Sequence, residues 1–214
     1  MEMLENIRHL SLEIGPTCNL SGIHDWCPSH RRKPLGALMP VEVIADSIIV
    51  ALNLGFQGFV GFHYYNEPTL SPERIKAVME LAPEARYMLW TNGTQPVPPG
   101  FAWVEKSAYG LDFQGEHDDR THNYETRLRD KTECWRPFIE IPVDYAGNMH
   151  MCCQDWDGTI KIGNIVEEGF EPVVRRWKEL ADSITRGSEF EVCNGCCGWS
   201  SQGSWQSALR DVGM

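Results

Sequence analysis

Apolar and polar residues alternate along Leu10-Ser11-Leu12-Glu13-Ile14, the pattern of a strand with one buried face, and the chain then enters Gly15-Pro16-Thr17-Cys18. From Met39-Pro40 the period changes. Val41, Ile44, Ala45, Ile48 and Leu52 fall on one helical face, with proline in the first turn and Gly55 as the stop. Gly58-Phe59-Val60-Gly61-Phe62-His63 reads as a short buried strand ending at Asn66-Glu67-Pro68. Ser71-Pro72-Glu73-Arg74 predicts a second helix, with serine as its N-cap and proline at its first position. Arg86-Tyr87-Met88-Leu89-Trp90 is a further strand, closed by Thr91-Asn92-Gly93-Thr94.

Strands that alternate with helices, each followed by a polar loop, predict βα units and a parallel sheet. In such sheets ligands collect at the carboxyl ends of the strands. Three loops stand there: Cys18 to Cys27, Tyr65 to Pro68, and Thr91 to Thr94. After Pro98-Pro99-Gly100 the pattern weakens. Residues 107–113 read as a fourth strand, and 117–130 as a charged helix or loop. Residues 138–144 and 149–152 suggest a hairpin turning at Tyr145-Ala146-Gly147-Asn148, and an amphipathic helix runs from near Phe170 to Arg186. A boundary near 130 divides a βα part, 1–130, from a smaller part, 131–214. With no low-complexity linker, the two are expected to pack closely.

The chain has 214 residues, enough to bury a full core, with 42% hydrophobic and 23% charged residues. A net charge of −11 argues against a general nucleic-acid surface. No apolar run is long enough to span a bilayer, and the start lacks the pattern of a secretory signal. These features predict a cytoplasmic protein, where cysteines stay reduced and bind metal more often than they pair. Arg31, Arg32 and Lys33 read as a solvated basic loop.

The cysteines change the picture most. Cys134 and Cys152 flank a predicted glycine turn at Gly147, and Cys193-Asn194-Gly195-Cys196 adds a C-x-x-C loop. Four such thiolates suit a [4Fe–4S] cluster or a tetrahedral zinc. Cys153 and Cys197 sit beside these ligands and read as packing or spare thiols. Cys18 and Cys27 make a second candidate site at the sheet edge. His63 reads as a satisfied histidine at a strand end. Trp135, Trp156, Trp177, Trp199 and Trp205 read as core or cluster surroundings.

These motifs resemble those of radical S-adenosylmethionine (radical SAM) enzymes with a C-terminal Twitch domain, the shortened relative of the SPASM domain. Cys134, Gly147 and Cys152 match its C-x(9–15)-G-x(4)-C pattern, Cys193 and Cys196 its closing C-x-x-C, and Lys161-Ile162-Gly163-Asn164-Ile165 its G-N-I stretch. The family's N-terminal C-x3-C-x2-C departs here to Cys18-x5-His24-x2-Cys27, preceded by the aromatic Trp26. His24 stands as third ligand or as a plain loop histidine; histidine ligation raises a cluster's potential.

The resemblance implies an α/β fold, a truncated βα barrel carrying a small hairpin-plus-helix domain. It implies one auxiliary [4Fe–4S] cluster on Cys134, Cys152, Cys193 and Cys196. A second iron site on Cys18, His24 and Cys27 would bind S-adenosylmethionine and yield a 5′-deoxyadenosyl radical for hydrogen abstraction from a peptide or small metabolite. Tyr65-Asn66-Glu67-Pro68 resembles the G-G-E-P motif that meets the cofactor's amino group. Thr91-Asn92 matches a T-N-G motif, Asp112 is implied for the ribose, and Arg127 for the carboxylate. A flavodoxin or ferredoxin would donate electrons. Two other readings suit the same residues: a metalloenzyme on this fold without S-adenosylmethionine cleavage, and a noncatalytic iron–sulfur or zinc module. Nothing in the sequence names a catalytic residue or a substrate.

Overall fold

A computed structural model describes residues 3–23, 27–30, 32–106, 139–153 and 155–184. Its centre is one seven-stranded sheet in the order β4-β3-β2-β1-β5-β6-β7. The strands are β1 (His9–Leu12), β2 (Phe59–Gly61), β3 (Arg86–Thr91), β4 (Trp103–Lys106), β5 (Glu140–Val143), β6 (Asn148–Met149) and β7 (Gly163–Asn164). The first five neighbours run parallel, and β5, β6 and β7 are antiparallel. The sheet thus continues from the βα units straight into the hairpin. The helices are α1 (Val41–Asn53), α2 (Pro72–Leu81), α3 (Ile165–Glu168) and α4 (Phe170–Ile184).

Strand alternation decides where the core lies. Leu10 and Leu12 on β1, Val60 on β2, Tyr87 on β3, and Ile141 and Val143 on β5 share one face and one hydrophobic core. Ile44 and Ile48 of α1, Ile75 and Val78 of α2, and Val173, Val174 and Trp177 of α4 close over it. The opposite face carries His9, Ser11, Gly61, Met88, Trp90 and Glu140 by the same register. A sheet covered by helices on one face, with a mixed polar and apolar face opposite, is the expected half of an open βα barrel.

The two helices between the parallel strands form where the periodicity places them. Ser71 precedes Pro72 as expected, but its side chain makes no capping hydrogen bond at φ −128° and ψ 49°. The strand expected at 107–113 and the helix or loop at 117–130 lie outside the described residues. The strand that does pair beyond β3 is Trp103–Lys106, which the weak pattern after Gly100 did not reveal.

Gly58 sits where β2 approaches β1. A Cβ there would lie 2.1 Å from the carbonyl oxygen of Arg8, the acceptor for Phe59 N. Gly58→Ala is therefore expected to lower stability by about 1–3 kcal/mol, since backbone must shift to admit it. Chemical denaturation checks this; an unchanged midpoint would contradict it.

The G-N-I stretch has a mechanical explanation. A Cβ on Gly163 would meet the Arg176 guanidinium at 2.2 Å. Asn164 caps α3 by accepting from Val166 N and Glu167 N, and donates to Ala146 O at 3.0 Å in the hairpin turn. Ile165 is buried in the core.

Candidate functional site

Three loops meet at the carboxyl edge of the parallel strands. Cys18 lies after β1, Glu67 after β2 and Asn92 after β3. The Asn92 amide nitrogen lies 3.9 Å from Cys18 Sγ and donates to Asn19 Oδ1 at 2.9 Å. Its own oxygen accepts from Thr94 N and Oγ1, which fixes the amide's orientation. Asn92 therefore presents a donor to sulfur.

Glu67 is buried and ties the edge together. Its Oε1 accepts from Thr69 N, Thr69 Oγ1 and Thr91 Oγ1, while Oε2 accepts from Asn92 N at 2.7 Å. Its backbone N donates to Thr17 O, beside Cys18. Oε1 is saturated. Oε2 retains acceptor capacity for one further donor, as an ammonium partner requires.

Burial pushes the Cys18 thiol up from its ordinary value, and the nearby Cys27 and Glu67 push the same way. The Leu20 backbone N–H and the Asn92 amide work against them. A Cys18 thiolate is thus disfavoured until a cationic group joins it, and bound metal reverses that balance. Ser29 Oγ, two residues after Cys27, is buried without a hydrogen-bond partner in the described structure. Two thiols near enough to influence each other, an amide aimed at sulfur and an orphaned hydroxyl fit a bound sulfur-rich metal group.

The other motif residues take different posts. Tyr65 is buried; its N donates to Glu13 Oε1 and its hydroxyl to Cys153 O. Asn66 accepts from Tyr64 N and donates to Phe62 O, so both ends of its amide hold the turn. His24, Trp26, Asp112, Arg127, Cys134, Cys193, Cys196 and Cys197 lie outside the described residues. Among the described residues no three His, Cys, Asp or Glu side chains converge as a metal site.

Cys152 is buried at the end of the hairpin, with Cys153 half-buried beside it. The turn is braced by Asp144, which accepts from Ala146 N, Asn148 N and the Asn148 amide. His150 bridges Asp144 Oδ2 at 2.9 Å and Asp155 O at 2.7 Å. Burial would raise the Asp144 carboxyl, but the His150 and Asn148 hydrogen bonds outweigh it and hold it below its ordinary value.

Two expectations are corrected here. Arg32 is no solvated loop cation: it makes a buried ion pair with Glu13 at 2.7 Å. His63 is not a satisfied histidine. Its Nδ1 is buried without a partner, and its Nε2 lies 3.5 Å from Ser11 Oγ, which donates to Glu140. A Cβ on Gly61 would strike the His63 ring at 2.6 Å, so that glycine admits the ring. Sequence reasoning missed Glu13 altogether. Its only signal was a charge within the alternating run that forms β1.

Burial lowers His63 to about 3, with the charge of His9 adding to it, and lowers His9 to about 4, with Arg8 adding. Both therefore fold neutral. The unfolded chain takes up protons below about 6.5 that the folded chain refuses, so stability is full above that pH. It is expected to fall steadily between pH 6.5 and 4. Thermal unfolding across that range checks this, and a His9→Gln/His63→Gln variant should show a flatter slope.

Residues 134–197 match the SPASM family, described as an iron–sulfur cluster-binding domain. The whole described fold matches selenomethionyl BtrN in an open conformation, with TM-score 0.70 and 20% identity over 94% of this chain and 97% of that one. The chain has the fold of BtrN, and its residues 134–197 match the SPASM domain. BtrN in complex with AdoMet and 2-DOIA matches the same fold, with TM-score 0.68 and 18% identity over 92% of this chain and 95% of that one. At these identities the likeness is one of fold. No curated protein matches by sequence. The SPASM match begins at Cys134 and ends at Cys197, so it spans all four proposed ligands of the C-terminal site. Among the described residues no helix is long and apolar enough to cross a membrane.

Proposed function

We propose that the protein is a radical SAM-type iron–sulfur enzyme with one auxiliary cluster. The observation that carries this reading is the meeting of Cys18, Glu67 and Asn92 at the carboxyl edge of the parallel sheet. The SPASM match across the second cysteine set supports it. An iron–sulfur group held by Cys18, Cys27 and His24 would supply the electron that splits S-adenosylmethionine into a hydrogen-abstracting radical.

The chain's own residues prepare that site. Asn92 orients and stabilises the Cys18 sulfur through its amide. Glu67 Oε2 receives the cofactor ammonium, while Thr69 and Thr91 fix the carboxylate's rotation. Asp112 and Arg127 are assigned to the ribose and carboxylate by the motif order alone. Cys134, Cys152, Cys193 and Cys196 hold the auxiliary cluster. The sheet face that carries His9, Ser11, His63 and Glu140 beside Met88 and Trp90 would line the substrate's space. A small-molecule substrate is favoured over a peptide by the BtrN complex, which holds AdoMet and 2-DOIA. A flavodoxin or ferredoxin serves as the electron donor.

The two-cysteine loop favours one second reading, a metalloenzyme on this fold that does not cleave S-adenosylmethionine. The two are separated by incubating the anaerobic, iron-reconstituted protein with dithionite and S-adenosylmethionine and measuring 5′-deoxyadenosine. Formation by the wild type, reduced at least about tenfold in Glu67→Gln through loss of a charged partner, is the expected result. No 5′-deoxyadenosine from a protein that holds both clusters would favour the second reading.

A further inference from the structure

Glu13 and Arg32 meet with both guanidinium nitrogens on both carboxylate oxygens, at 2.7 and 3.0 Å. Their side chains are 0% and 7% exposed. Each Glu13 oxygen takes one more donor: Tyr65 N on Oε1 and Tyr145 N on Oε2, each at 3.0 Å. Burial works against the Arg32 charge, but the hydrogen bonds and charge of Glu13 outweigh it and hold the guanidinium above its ordinary value. The pair is thus charged, buried and saturated on the carboxylate side.

Four chain segments converge on it. Arg32 N donates to Pro28 O, closing a turn immediately after Cys27. The guanidinium carbon lies 5.2 Å from the Tyr64 ring centre, 5.5 Å from Tyr65 and 6.0 Å from Tyr145. Tyr64 donates to Cys152 O at 3.3 Å, and Tyr65 donates to Cys153 O. Tyr145 accepts from Leu35 N at 2.6 Å and its carbonyl accepts from Met39 N, so the segment after Cys27 is stitched to the hairpin turn.

We propose that Arg32 is a positioning residue that locks the chain on either side of Cys18 and Cys27 to the Cys152 hairpin as one unit. Their iron-site roles rest on the function proposed above; the lock itself does not. Burying two charges adds little net stability compared with apolar side chains of like size. A bidentate fork does fix distance and rotation, which a hydrophobic contact does not. Arg32 Nε is buried without a partner in the described structure, so the guanidinium is set by its two bonds to Glu13 and its ring contacts.

The test uses the full-length, metal-free protein, so its result is independent of cluster loading and of S-adenosylmethionine chemistry. Alkylation rates of individual cysteines by iodoacetamide are read by mass spectrometry, with amide exchange of α4 followed as a control. Glu13→Gln/Arg32→Met removes the ion pair without leaving a lone buried charge. Its Cys18, Cys27 and Cys152 thiols are expected to react roughly tenfold faster together, while α4 exchanges at the wild-type rate. Arg32→Lys, which keeps the charge and loses the fork, should fall between. Acceleration confined to one loop, wild-type rates at all three thiols, or equal acceleration in α4 would each overturn the proposal.

Discussion

Trp177→Ala is expected to lower the unfolding free energy by about 3–5 kcal/mol, the range for deleting a fully buried large aromatic. Trp177 is 0% exposed and lies at the centre of α4, between Val173, Val174 and Ala181, all buried. Its indole N–H donates to the carbonyl of Met151 at 3.3 Å. Alanine therefore leaves both a cavity and a buried carbonyl without its donor. That carbonyl belongs to the residue before Cys152, so the hairpin loses its support along with the core. Urea denaturation measures the effect, and Trp177→Phe should recover much of the packing but not the hydrogen bond. A midpoint for Trp177→Ala within error of the wild type would contradict the placement of Trp177 in the core against Met151.

Removing one half of the buried ion pair should cost a similar amount. Glu13→Ala strands the Arg32 guanidinium among Tyr64, Tyr65 and Tyr145 and removes the carboxylate that accepts from Tyr65 N and Tyr145 N. Breaking such a pair from one side costs about 3–5 kcal/mol, whereas neutralising both partners together is often close to neutral. The expected order of stability is therefore wild type, then the Glu13→Gln/Arg32→Met double variant close behind, then Glu13→Ala far below. Denaturation of the three proteins in one buffer checks this. A double variant as unstable as Glu13→Ala would mean that the charge pair itself, rather than an uncompensated charge, carries the stability.

Much of the fold could be read from the chain because period and punctuation agree. The 3.6-residue spacing of Val41, Ile44, Ala45 and Ile48 and the proline after Ser71 both mark helices that form. The alternation around Leu10 and Leu12 yields a strand whose apolar face enters the core. The order of Cys18, Glu67 and Asn92 after successive strands placed them at one edge, since parallel strands carry their following loops to the same end.

The rest was hidden by physics that spacing does not encode. Arg32 looks like any basic loop residue, because its burial depends on Glu13, nineteen positions away in the chain and across the sheet edge. Glu13 itself alternates like a solvent-facing strand residue; only the arrival of Tyr65 and Tyr145 makes it a buried hub. Tyr65 and Asn66 stand where the G-G-E-P motif they resemble has its glycine pair, yet they serve the hairpin and the turn respectively. The hairpin was legible from Gly147, whose φ of 90° a side chain would strain. That its first strand pairs with β1 was not, because register depends on the whole sheet.

The proposed function requires two separable iron–sulfur sites, the first of which takes S-adenosylmethionine. Electron paramagnetic resonance and iron counting on the anaerobically reconstituted, dithionite-reduced protein test it most directly, comparing wild type with Cys18→Ala/Cys27→Ala and with Cys134→Ala/Cys152→Ala. The expected result is two signals, each lost with its own cysteine pair, and a shift on adding S-adenosylmethionine confined to the signal that depends on Cys18 and Cys27. A single signal that survives Cys18→Ala/Cys27→Ala and ignores S-adenosylmethionine would contradict it.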